Sequence, residues 1–148
     1  MNRFLRHPVT NAVGISAFSL FYGVIFLAFS NRIQSQTGLA ENEFWKAWDS
    51  FLVCGGHRYT AIILIAVTIL VVTLRLIKHK PYDEYHTTIL VKCLAVSEVL
   101  TLAAIAAFFV VVLIEPNGII SKFTLFIMVN WSTVVLADLI YLVLCGRK

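Results

Sequence analysis

The chain has 148 residues, is 59% hydrophobic and only 14% charged, and carries a net charge of +4, with a mean hydropathy of +0.86. Soluble domains carry about 25% charged residues, so this composition argues against an ordinary soluble domain and for a chain whose solvent is the lipid bilayer. The positive balance is not a nucleic-acid signature, because no basic stripe is interleaved with exposed aromatics, and nucleic acid is not an expected partner.

A hydrocarbon core of about 30 Å takes about 20 apolar residues per helix, and four runs approach that length, at 12–29, 59–77, 88–114 and 123–145. They are too long and too uniformly apolar to be the alternating segments of about ten residues that build a membrane barrel. The predicted fold class is therefore all-α: an integral membrane four-transmembrane-helix bundle, one domain over 1–148.

The first run follows Arg3 and Arg6 and ends in Ala28, Phe29 and Ser30, which resembles a leader with a cleavage site. Its 18 residues exceed a usual leader core, and the run is read as a span. Ala12, Ser16, Ser19 and Gly23 share one of its faces, and small residues so placed let helices approach closely in lipid. They are the expected helix-packing positions, within the chain or against a partner.

The long connection after this run contains ENEFWKAWDSFLV, which predicts a short amphipathic helix over about 40–53 lying in the outer interface. Its apolar face is read as Phe44, Trp48, Phe51 and Leu52, and its polar side as Glu43, Lys46, Asp49 and Ser50. Trp45, Trp48 and the following Tyr59 are the aromatics expected at headgroup level. Gly55 and Gly56 break this helix before the second span.

The connection KHKPYDEYH is short and polar, with Pro81 ending one helix and Asp83 or Thr87 available to cap the next. The last connection, EPNG, is a tight turn. No internal repeat of the kind that builds transporters from inverted halves is visible.

Lysine and arginine set the orientation. With the N-terminus inside, Arg3, Arg6, Arg75, Lys78, Lys80, Lys92, Arg147 and Lys148 fall on the cytoplasmic side and Arg32, Lys46, Arg58 and Lys122 outside. The expectation is an N-in/C-in, multi-pass protein of the cell membrane, both termini cytoplasmic and the short amphipathic helix extracytoplasmic.

Charges inside the apolar runs are the best functional handle. The turn between the last two runs is centred near Pro116 and Asn117, which puts Asp138 opposite Ala95, about 4.5 Å along the axis from both Lys92 and Glu98. Arg75, near the end of the second run, falls at the same depth. An intramembrane cluster of Arg75, Lys92, Glu98 and Asp138 is expected, because charged groups at this depth cost about 2.5–3.5 kcal/mol unless they face protein or water. Asn130, near mid-membrane, is expected to hydrogen-bond across helices.

Other chemistry is thin. Cys54, Cys93 and Cys145 have no metal-like spacing, and the four histidines sit at the rims rather than where a haem between helices needs them. No metalloprotease, serine-hydrolase or phosphate-loop motif occurs; no catalytic residue, metal or cofactor is assigned. The leading expectation is a small non-enzymatic membrane protein acting as a subunit or assembly partner in a homo-oligomer or with other membrane subunits. The alternatives are a small oligomeric proton- or cation-coupled transporter or channel using Glu98 and Asp138, and a membrane redox or lipid-substrate enzyme subunit.

Overall fold

The computed structural model describes residues 8–33, 42–77 and 84–146. These residues form five helices and no strand: α1 (Pro8–Arg32), α2 (Glu43–Val53), α3 (Gly56–Ile77), α4 (Glu84–Ile114) and α5 (Ile119–Gly146). Four of them, all but α2, are long and apolar enough to cross a membrane, the organisation of a multi-pass membrane protein. The arginines at positions 3 and 6, the helix-ending Pro81, the cap candidate Asp83, and the charges at 78, 80, 147 and 148 lie outside the described residues. Thr87 falls inside the first turn of α4 rather than at its cap, because α4 begins at Glu84.

Three spans, α1, α3 and α5, pack on one another, and α4 packs chiefly along α5. Phe26, Ile33, Leu52, Ala61, Ile127, Trp131 and Val135 form the main apolar core, drawn from α1, α2, α3 and α5. A second, smaller core joins Val71 of α3, Leu90 of α4 and Tyr141 and Leu142 of α5. It sits toward the end of α3 and the beginning of α4, where the bundle is closed by a different set of contacts.

The α2 helix starts at Glu43 because Asn42 caps it: the Asn42 side-chain oxygen accepts from the Phe44 amide at 3.0 Å. It stops at a tight reversal where Gly55 has φ 89°, a conformation that glycine adopts without steric cost. The next residue, Gly56, lies under the Phe51 ring, leaving no room for a side chain.

The inward face of α2 differs from the sequence expectation. Trp45, Asp49 and Leu52 are the buried residues, while Phe44 and Phe51 are exposed. The apolar arc of this helix is wide, and the docked edge is rotated from Phe44 and Phe51 toward Trp45 and Asp49. What selects that edge is Trp48, whose indole N–H donates to the Ser121 carbonyl at 3.1 Å and reaches the Thr124 hydroxyl at 3.4 Å on α5. Docked this way, α2 leaves Phe44 and Phe51 outward and holds Trp45 against Lys122, whose ammonium lies 5.5 Å from the Trp45 ring centre. Tyr59, at the start of α3, is 71% exposed.

Candidate functional site

Several polar groups within the three-helix core are paired across helices. On α1, the Ser19 hydroxyl lies 2.9 Å from that of Thr68 on α3 and accepts from the Trp131 indole N–H of α5 at 2.8 Å. One small residue thus links three spans. Gly23, one turn along, is covered by the same indole, and a Cβ there would stand 3.1 Å from Trp131 Cη2. Ala12, Ser19 and Gly23 face inward, whereas Ser16 is exposed. The small-residue face of α1 therefore closes the bundle of its own chain. Neither Thr68 nor Trp131 was singled out from the sequence, although an interior tryptophan far from the headgroup belts is the kind of bulk that a Gly23 notch accommodates.

The charged positions divide into two groups. Arg75 of α3 and Asp138 of α5 form a buried ion pair, with Nη2 donating to Oδ1 at 2.5 Å and side chains 1% and 5% exposed. The guanidinium also lies 5.0 Å from the centre of the Tyr141 ring, one turn along α5 from Asp138. Val71 and Leu90 pack beside Tyr141, which keeps this pair out of lipid. Its one open valence is the buried Arg75 Nε, which has no hydrogen-bond partner. Because lipid offers no hydrogen bonds, two opposite charges held this closely are a neutral tether between α3 and α5, and removing either leaves the other buried and unpaired.

Lys92 and Glu98 stand apart from this pair. Both are exposed, on opposite flanks of α4, and neither is ion-paired to a described residue. The expected cluster of four is thus a pair and two separate charges. The reason is azimuthal: α4 turns Leu90, Cys93, Ser97, Ala104 and Phe108 toward the bundle, and Lys92 and Glu98 fall well outside that arc. Only Leu90 and Ser97 of the 31 residues of α4 are buried.

Asn130 is 1% exposed, yet its side-chain N–H donates at 2.8 Å to the Phe126 carbonyl of its own helix rather than across to another. A carbonyl one turn back is always within reach of a short polar side chain in a helix. Its Oδ1 is buried without a partner.

Comparison with protein-family models, with curated proteins and with solved structures finds no match. The site must therefore be read from its own geometry. Near the α4–α5 turn, Lys122 is 2% exposed and donates to the backbone carbonyls of Glu115 and Asn117, with Glu115 Oε2 at 3.5 Å. That lysine bolts the turn shut. Ser30 Oγ on α1, Asp49 Oδ1 on α2 and His57 Nε2 on α3 are each buried without hydrogen-bond partners, and His57 Nδ1 lies 2.7 Å from the Leu52 carbonyl. A carbonyl only accepts, so Nδ1 donates in this contact. Among the described residues no three His, Cys, Asp or Glu side chains gather as metal ligands would.

Proposed function

We propose that the protein is a non-enzymatic subunit or assembly partner of a membrane complex or homo-oligomer, and that α4 is the helix it offers to that assembly. The observation that carries this reading is the exposure of Glu98 on an apolar surface. Its exposed neighbours along the same flank are Leu94, Leu102 and Phe109. Glu98 is 16 residues, about 24 Å, from Ile114 at the other end of α4. With Ile114 at one hydrocarbon boundary, Glu98 lies inside a core of about 30 Å. A carboxylate facing acyl chains there is costly, and a helix from another chain supplying a lysine, arginine or hydroxyl donor removes that cost.

The same reading takes both termini as cytoplasmic, supported by the excess of lysine and arginine on that side, and places α2 outside, where Phe44, Phe51 and Tyr59 meet the headgroups. Transport through Glu98 and Asp138 is the competing reading, and the buried Arg75–Asp138 pair is the observation in its favour.

The test is extraction in a mild detergent, comparing the native size of the wild type with that of Glu98→Leu. The expected result is a complex larger than one chain that dissociates in the variant, with the freed monomer as stable as wild-type monomer. A wild type that is monomeric throughout, or an assembly unchanged by Glu98→Leu, overturns the proposal. Loss of ion or proton flux in proteoliposomes from Glu98→Gln, with assembly intact, would establish the transport reading in its place.

A further inference from the structure

Outer grooves run between neighbouring spans, and they differ in their charge. The groove between α1 and α3 is walled by Leu20, Val24, Ile65, Ile69 and Val72, with Ser16, Ser19, Thr68 and Thr73 its polar members, and has no charged side chain. The groove between α4 and α5 has a volume of about 340 Å³ and a similar wall of Val96, Leu100, Leu136 and Ile140, but Lys92 lines it too. We propose that this α4–α5 groove is a binding site for an anionic glycerophospholipid, with the lipid phosphate on the Lys92 ammonium and an acyl chain lying between α4 and α5.

Three observations converge on that ligand. First, Lys92 is exposed and makes no ion pair with a described residue, in contrast to Lys122, whose ammonium is occupied by two carbonyls and the Trp45 ring. Second, Lys92 lies 22 residues from Ile114, about 33 Å along α4, just past a hydrocarbon core of about 30 Å. Side chains on a helix lean toward its N-terminus, so the stem of Lys92 carries its charge away from the acyl region and toward the headgroups. Third, from Lys92 the groove runs to Leu100, eight residues or about 12 Å deeper, along a mostly apolar wall in which Ser97 and Thr133 are the uncharged polar members and no other charge appears, a lining that suits an acyl chain. A zwitterionic lipid would fill the groove equally well but would bring its own cation to Lys92, so the charge selects for a net anionic headgroup.

The experiment is native mass spectrometry of the full chain in mild detergent, titrated with phosphatidylglycerol or phosphatidylcholine of identical acyl chains. One lysine near an anionic headgroup is worth about fivefold in binding, so Lys92→Gln should lower phosphatidylglycerol affinity about fivefold, to the level of phosphatidylcholine. Ala137→Phe, which narrows the groove, should weaken both lipids. Arg58→Gln removes an exposed cation at the other end of the bundle and should leave the preference intact. Equal losses from Lys92→Gln and Arg58→Gln would reduce the effect to diffuse surface charge and overturn the site, as would an unchanged preference in Lys92→Gln. Should Ala137→Phe fail to fold, a phosphatidylglycerol with a photoreactive acyl chain decides in the wild type. Labelling of Val96 or Ile140 is expected; labelling confined to other helices, or displacement of the lipid by a polypeptide in native membranes, contradicts the proposal.

Discussion

The core of α1, α3 and α5 and the outlying α4 treat polar groups in opposite ways. In the core, Ser19, Thr68 and Trp131 satisfy one another and Arg75 neutralises Asp138, all of them buried. On α4, Lys92 and Glu98 point outward from a helix as apolar as the others. Burial inside the chain therefore accounts for the first set and not for the second. The difference teaches that the core pairs most of its polar groups within the chain, whereas Lys92 and Glu98 have no ion-pair partner among the described residues.

The sharpest way to break this comparison is to unpair the core. Asp138→Leu leaves Arg75 buried without its counter-charge and should cost about 3–5 kcal/mol, read as thermal unfolding in detergent. The double variant Arg75→Met with Asp138→Leu should recover most of that loss. If Asp138→Leu alone is harmless, the pair is not the tether described here.

A smaller effect is expected at the notch of α1. Gly23→Leu must displace the Trp131 ring and should destabilise by about 1–3 kcal/mol, whereas Leu20→Phe on the outward face should be nearly silent. Equal effects at the two positions would mean that α1 does not seat against α5 as described. Smaller again, Trp48→Phe keeps an aromatic side chain, though a smaller one, and removes the N–H that holds α2 to α5, a loss of about 1 kcal/mol for the hydrogen bond, and should raise proteolytic cleavage at α2 before global unfolding. Smallest is Glu98→Leu, whose effect on the monomer should stay within about 0.5 kcal/mol because Glu98 is exposed and makes no ion pair with a described residue.

The four spans were legible in the sequence because each is an apolar run near the length that crosses a bilayer. Their ends were not: α1 begins at Pro8, α4 at Glu84 and α5 at Ile119, each earlier than its apolar run, since a helix continues into polar residues that hydropathy does not mark. Counting residues from the turns puts Arg75, Lys92, Glu98 and Asp138 at similar depth, and the arc of about 120° from Lys92 to Glu98 is one that a facing helix could largely cover, but nothing in the count says which way that arc turns. A helix apolar on every side carries no stripe to show which face turns inward, so the outward positions of Lys92 and Glu98 emerge only from packing. On α2 the sequence pattern puts Asp49 on the polar side, whereas the helix, hydrogen-bonded to α5 through Trp48, buries Trp45, Asp49 and Leu52. The mid-membrane position of Asn130 suggests a bridge between helices, but its side-chain N–H bonds within its own helix, where the Phe126 carbonyl is the nearest acceptor.

On the proposed reading, protein covers the outward flank of α4 and lipid the outward flank of α1. Site-specific photocross-linkers at Leu102 on α4 and at Leu20 on α1, both exposed, should be activated in native membranes without extraction. The account predicts a discrete polypeptide adduct from Leu102 that disappears when Glu98→Leu is added, and only lipid adducts from Leu20. Lipid adducts alone from both positions would contradict it.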